Sequence, residues 1–436
     1  MPFIMDTIFA LATAPGRAAI AVMRLSGPES RRMLEALAGR LPAPRRAALR
    51  RLSAPDGTVL DEALVLWLPG PASYTGEDSA ELHLHGGAAV VAGVGEALAG
   101  SGARPAEPGE FTRRAVLNGR MDLTAAEGVI DLIEAETAAQ ARQALGLAGG
   151  GLTALCAAWA GRLTGLLARQ EALIEFEDEG LPDALEDEVA RAIGVLAAEM
   201  TARLTADEGG ERVRAGLDVA ILGAPNAGKS SLLNALVGRE AAIVSARAGT
   251  TRDVVEARIL LAGLPAVLAD TAGLREAGDE IEAEGVRRAL HRGAAADIVL
   301  AVLPCGATPD AATLALVARR DCILVASKAD IGGPVPEGAL AVSVRTGEGL
   351  PALREKLEEV ASRLAPVSGA ALLARPRHRA AVRDALRWLG EAMVASLPEM
   401  RADALREALQ ALGRLTGKVG AEAILDRVFA EFCIGK

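Results

Sequence analysis

The segment Gly223-Ala224-Pro225-Asn226-Ala227-Gly228-Lys229-Ser230 sets two glycines, a lysine and a hydroxyl where a chain could wrap a phosphate, with Ser231 following. Glycines let backbone N–H groups close on an anion, the lysine neutralises β and γ oxygens, and the serine hydroxyl reaches Mg²⁺. An apolar, strand-like run over 217–223 precedes the loop and a helical run over 231–238 follows it. That order aims a helix N-terminus at the anion.

Two further groups arrive in the order such a phosphate site needs. Gly249-Thr250-Thr251-Arg252-Asp253 offers Thr251 as a second Mg²⁺ ligand. The strand-like run 265–270 ends in Asp270-Thr271-Ala272-Gly273, a carboxylate near the metal and a glycine N–H for the γ-phosphate. Base choice falls to Ser327-Lys328-Ala329-Asp330 after a strand over 322–327, because one carboxylate accepts from guanine N1–H and N2–H₂ together and adenine cannot satisfy it. Ser343-Val344-Arg345, after another strand, brings a backbone N–H to guanine O6. Ser327 stands where guanine-binding P-loop enzymes usually have asparagine. One hydrogen bond fewer, about 0.5–1.5 kcal/mol, predicts weak nucleotide affinity with guanine preference kept.

Hydrolysis needs a group that orients water, and Leu274 occupies the position where many such enzymes carry glutamine. Two local substitutes are Asn226, whose oxygen can hold a monovalent cation, and the acidic run Asp279-Glu280-Ile281-Glu282, which as chemistry alone could equally be a solvated helix start. Four other features invite a role. Cys433 reads as a small buried hydrophobe, His83 and His85 share a strand face without a third metal ligand, and the nine acids of 171–188 read as a solvated helix end and loop. Arg375, Arg377, His378 and Arg379 suit either an RNA phosphate patch or a helix cap.

The elements that must position these groups fall into regimes. At 436 residues, with 51% hydrophobic and only 2% aromatic composition, the chain predicts several cores packed by Ala, Leu and Val. The opening to about residue 118 reads as a small α+β domain, with strands in 19–25 and 64–70 and turns or loops at PGP, YTGED and PGEFT. Apolar residues at three and four residue spacing over 124–147 and 152–174 predict helices, and helix returns over 375–436. The uncharged stretch from Gln143 is broken by Gly149-Gly150-Gly151, so it predicts two buried helices and a turn rather than a membrane span. A net charge of −10 excludes a basic coat for wrapping nucleic acid and leaves room only for a local contact. Four dispersed cysteines suggest neither disulfides nor a zinc site and fit a reducing cytosol. Asp6 within the first apolar run is wrong for a secretory leader.

Taken together, DTIFALAT (6–13), MRLSG (23–27), YTGED (74–78), HGG (85–87), the run 108–135, GTTRD (249–253), DTAGLRE (270–276) and the terminal FCIGK (432–436) resemble the MnmE, or TrmE, family of tRNA modification GTPases. The likeness runs from residue 6 to Lys436. It implies a multidomain fold: an α+β folate-binding-like and dimerising domain over 1–118, a helical domain in two parts over 119–213 and 366–436, and an inserted α/β P-loop GTPase domain over 214–365. It also implies potassium-dependent GTP hydrolysis by G domains that pair across their sites, K⁺ standing in for an arginine finger. In that reading Asn226 and the backbone of Ser245, Arg247 and Thr250 hold K⁺, within a loop that also includes Ala246, Ala248 and Gly249. Ser230 and Thr251 hold Mg²⁺, and Lys229, Thr251 and Glu282 are catalytic, Glu282 through a bridging water.

The same resemblance implies a 5-formyl or 5,10-methylene-tetrahydrofolate cofactor held by Arg24, Glu81, Arg120 and Lys436, with lysine usual in the family at position 120, and a site for Cys433 near it. It implies a homodimer in the cytoplasm that acts on tRNA wobble uridine with an FAD-dependent partner, MnmG (GidA). No G-x-G-x-x-G follows an early strand here, so the flavin belongs to the partner. The competing expectation is a ribosome-assembly switch similar to Era or EngA, which would bring a KH-type GXXG loop that this chain lacks.

Overall fold

Period-two alternation in the opening folds as a sheet. The computed structural model describes residues 6–176, 183–224, 226–238, 256–270, 295–308, 322–365, 371–417, 428, 429, 432 and 435. Its first strands are β1 (Ile8–Leu11), β2 (Ala18–Ser26), β3 (Ala48–Ser53), β4 (Val59–Leu68), β5 (Ser79–Gly86) and β6 (Arg104–Pro105), with helices α1 (Ser30–Ala38) and α2 (Ala88–Gly100) between them. The sheet order is β3-β4-β5-β2-β1-β6, antiparallel except for β1 with β6. Met23, Leu25, Leu52, Val65, Leu82 and Leu84 share one face and bury against Met33, Leu34, Val94 and Leu98. The other face therefore carries the polar partners of the alternation, and its register sets Arg24 on β2 opposite Glu81 on β5.

The helices after the sheet are α3 (Glu110–Leu117), α4 (Leu123–Glu134), α5 (Ala138–Ala148) and α6 (Gly151–Glu175). PGEFT is thus not wholly a turn: the Glu107 N–H donates to Glu110 Oε2 at 2.9 Å, closing the lead-in so that the helix starts at Glu110. The periodic run 124–147 is two helices, separated by a capping box in which Thr137 Oγ1 accepts from Gln140 N and Gln140 Oε1 accepts from Thr137 N. The glycine triplet does end α5 and start α6. By length and composition α6 is the one described helix able to cross a membrane. It buries Leu152, Cys156, Trp159, Leu163 and Leu166 in the protein, at the three and four residue spacing of a core helix.

Next come α7 (Asp183–Ala206), α8 (Gly210–Ala215), β7 (Leu217–Leu222), α9 (Lys229–Gly238), β8 (Glu256–Leu261), β9 (Leu264–Asp270), β10 (Ile298–Pro304), β11 (Cys322–Ser327), β12 (Leu340–Val342), α10 (Leu350–Leu364), α11 (Pro376–Val394) and α12 (Pro398–Thr416). Strand order is β12-β11-β10-β7-β9-β8, parallel apart from the edge hairpin β8 and β9. The near-continuous apolar runs of β7 and β10 follow from burial on both faces, as a parallel sheet requires. Val219, Ile221, Leu268, Leu300 and Val325 pack with Leu232 of α9 and with Leu353 and Leu357 of α10. Contacts divide the chain into two units, Met1–Ile130 with Leu147–Glu171 and Ala402–Lys436, and Asp131–Gly146 with Ala172–Arg401.

Candidate functional site

β7 delivers the chain into the glycine loop at the carboxyl ends of the parallel strands, where open α/β sheets bind ligands. Gly223 has φ +154°, and a Cβ there would lie 2.0 Å from the Val302 carbonyl oxygen, so β10 passes too close for any other residue. Asn226 follows in a left-handed conformation, φ 61°, which asparagine tolerates. Helix α9 begins at Lys229, itself only 6% exposed. Its Nζ donates to the carbonyls of Gly223 and Ala224 at 2.9 Å each, which holds the ammonium across the loop. The lysine cation and the α9 N-terminus therefore both stand at the glycine loop, the setting a polyphosphate needs. Ala227 is buried beneath the loop, while Ser230 and Ser231 are exposed.

The base-reading groups follow β11 and β12. Ser343 is fully buried and its Oγ donates to Asp330 Oδ1 at 2.7 Å, while Arg345 Nε stands 3.4 Å from Asp330 Oδ2. The Ser343 hydrogen bond first, and the Arg345 charge with it, hold the Asp330 carboxyl below its ordinary range. It is thus kept as the acceptor that guanine needs. Lys328 turns the chain at φ 59°, and Val344 is exposed beside Ser343. Ser327 is 5% exposed, and its hydroxyl points at backbone rather than outward, 2.5 Å from the Ala227 carbonyl oxygen. Ser245, Ala246, Arg247, Ala248, Gly249, Thr250, Thr251, Thr271, Ala272, Gly273, Leu274, Glu282, Cys433 and Lys436 lie outside the described residues, as does the side chain of Asp270.

The first sheet carries a second polar cluster. Arg24 Nη2 and Nε donate to Glu81 Oε1 at 2.9 and 3.2 Å, and the guanidinium lies 5.6 Å from the Tyr74 ring centroid and 5.7 Å from that of Phe111. Arg24 Nη1 also donates to the Gly435 carbonyl at 3.4 Å, so the residue before Lys436 is at the cluster. Gly435 has φ +100°, and a Cβ there would come 2.3 Å from the Leu11 carbonyl oxygen, so this residue lies close against β1. Arg120 Nε donates to the Ser73 carbonyl at 3.2 Å, at the loop that presents Tyr74. His83 Nε2 is buried with no hydrogen bond, 3.6 Å from Glu81 Oε2. A buried ring nitrogen left unsatisfied beside an ion pair suits a polar heterocycle better than an apolar ligand.

Beneath this cluster sits an ion network that the sequence did not disclose. Arg114, 1% exposed, donates to Asp6 Oδ1 at 2.7 Å, Glu110 Oε1 at 2.9 Å and Glu77 Oε2 at 3.2 Å, and Arg104 donates to Glu110 at 2.6 and 2.8 Å. Burial pushes the Asp6 and Glu110 carboxyls up, but bonds from Arg104 and Arg114, with the Glu107 N–H on Glu110, outweigh it and both sit below their usual values. Burial also raises the Tyr74 phenol, against its bond with Thr112. Glu77 accepts from Ser26 Oγ at 2.8 Å, so the network anchors the 73–79 loop to β2, two residues from Arg24.

Three members of the basic run are structural. Arg375 Nη2 pairs with Asp131 at 2.7 Å, His378 is fully buried, and Arg379 caps the end of α7 through the carbonyls of Leu204 and Asp207 at 3.1 Å each. His85 Nδ1 bonds Asp61 at 2.7 Å, and no cluster of three or more metal-ligating side chains occurs among the described residues.

Two family descriptions match the chain: "GTP-binding protein TrmE N-terminus" over residues 7–120 and "MnmE helical domain" over 123–433. Proteins named tRNA modification GTPase MnmE are similar along the whole chain. That of Gluconacetobacter diazotrophicus is 54% identical, covering 100% of each chain. Those of Granulibacter bethesdensis and Rhodospirillum rubrum are 49% and 52% identical, each covering 99% of both chains.

Proposed function

Because the chain belongs to the MnmE (TrmE) family of tRNA modification GTPases, we propose that its GTPase cycle drives modification at C5 of the wobble uridine, as a potassium-dependent enzyme. The supporting observation is that a buried Lys229 opens α9 at the glycine loop, an Asp330 braced by Ser343 follows β11, and Ser327 at the end of β11 bonds the loop at the Ala227 carbonyl. Lys229 and the loop N–H groups bind the phosphates, and Asp330 accepts from guanine N1–H and N2–H₂, a pairing that adenine lacks. Ser230 and Thr251 would hold Mg²⁺, and Asn226 with the backbone of Ser245, Arg247 and Thr250 would hold K⁺. When bound, these cations supply positive charge against that developing between the β and γ phosphates. Glu282 would orient the attacking water, a task Leu274 cannot perform.

In this reading residues 1–118 bind a tetrahydrofolate one-carbon donor at Arg24, Glu81, Arg120 and Lys436, and dimerise. Residues 119–213 with 366–436 form the helical domain, and 214–365 the G domain. The unsatisfied His83 Nε2 beside the Arg24 and Glu81 pair supports a polar heterocycle there. The working form is a cytoplasmic homodimer, with tRNA as substrate and an FAD-dependent MnmG (GidA) partner in a larger complex supplying the flavin.

The test of the cation assignment is GTP hydrolysis in K⁺ and in Na⁺ at matched ionic strength, with Asn226→Ala beside the wild type. K⁺ should accelerate the wild type and lose that effect in the variant. Equal rates in Na⁺ would overturn it.

A further inference from the structure

Ser327 occupies a position expected to read the base, yet its geometry points elsewhere. The side chain ends β11 and is 5% exposed. Its Oγ lies 2.5 Å from the carbonyl oxygen of Ala227 in the glycine loop and 3.2 Å from that of Leu303 in β10. A hydroxyl has one proton, and both neighbours only accept, so that proton is committed to backbone whichever carbonyl takes it. The nearer is Ala227, between Asn226 and Gly228. A Cβ built on Gly228 would stand 3.8 Å from Ser327 Oγ, so the serine is seated against the loop. Asparagine is longer than serine and carries two N–H donors and an acceptor, whereas serine has one donor to spend. Base reading is correspondingly concentrated on Asp330, whose carboxylate is oriented by the buried Ser343 and flanked by Arg345.

We infer that Ser327 is a positioning residue for the phosphate loop and contributes nothing to guanine discrimination. Its hydroxyl ties Ala227, and with it the loop segment from Asn226 to Lys229, to the strand that ends at the base-reading residues. This rests on the GTPase reading. It replaces the expectation that Ser327 is a weakened base contact. The ligand class that senses the tie is the polyphosphate, with or without a base.

The experiment measures Mg²⁺-dependent binding of GTP, ATP and inorganic triphosphate to the full chain. Wild type is compared with Ser327→Ala, Ser327→Cys and Asp330→Asn. Loss of one buried hydrogen bond should weaken GTP and triphosphate together in Ser327→Ala, by about fivefold to tenfold, with the GTP to ATP ratio unchanged. Ser327→Cys keeps the size with a poorer donor and should fall in the same parallel way, so the inference stays testable if the alanine variant does not fold. Asp330→Asn should do the reverse, losing GTP while triphosphate binding holds. If Ser327→Ala or Ser327→Cys weakens GTP and leaves triphosphate unchanged, or collapses the GTP to ATP ratio, Ser327 reads the base and the inference is wrong. If Asp330→Asn leaves the GTP to ATP ratio intact, the guanine assignment itself fails, a separate outcome.

Discussion

Replacing Arg114 by methionine keeps most of the side-chain volume and removes the guanidinium from Asp6, Glu77 and Glu110. The three carboxylates are not equally exposed: the Asp6 side chain is 41% exposed, Glu77 19% and Glu110 5%. Only Glu110 is left in a fully dry setting, and it keeps Arg104 at 2.6 Å and the Glu107 N–H at 2.9 Å. Breaking a buried pair by removing one partner costs about 3–5 kcal/mol, and the surviving partners place this case near the lower end, about 3 kcal/mol. Hydrogen exchange of peptides from residues 6–117, followed across urea, should show an opening constant raised about a hundredfold. The pH dependence has a definite sign. Asp6 and Glu110 are held below their ordinary values, so their contribution is present above about pH 4 and is lost as pH falls through the folded-state values. The gap between wild type and variant should therefore be widest at neutral pH and close in acid. A loss below about 1 kcal/mol at pH 7, or a gap that widens in acid, would refute the network argument.

Gly223→Ala must put a methyl 2.0 Å from the Val302 carbonyl oxygen, so it should abolish detectable nucleotide binding by calorimetry. Retained binding would mean that β10 can yield. Arg24→Ala removes the partner of Glu81 and the cation beside Tyr74 and Phe111, and should reduce 5-formyl-tetrahydrofolate binding by fluorescence titration by about tenfold or more while leaving GTP affinity unchanged.

Features written in consecutive residues were legible. The glycine loop, its strand and helix, the Asp330 and Ser343 segments and the break at Gly149-Gly150-Gly151 each fold as their local chemistry dictates. The Arg24 and Glu81 pair came from family motifs, and the register of β2 with β5 explains why two residues 57 apart meet. The network of Asp6, Glu77, Arg104, Glu110 and Arg114 was invisible, because its members come from four separate segments joined only by strand order. Arg375 and Arg379 read equally as RNA ligands or helix caps. Only the positions of Asp131 and of the α7 carboxyl end decide for structure. Ser327 was identified as a departure from asparagine, but which backbone carbonyl receives its proton depends on how closely the loop and β11 approach.

We propose that this chain acts in tRNA wobble uridine modification, with GTP hydrolysis as its engine. Nucleoside analysis of total tRNA, from a strain lacking the protein and from the same strain carrying the wild type or Lys229→Ala, tests it most directly. The deletion and the variant should lack 5-carboxymethylaminomethyl- and aminomethyl-uridine derivatives that the wild type restores. Unchanged wobble uridines in the deletion strain would contradict the claim.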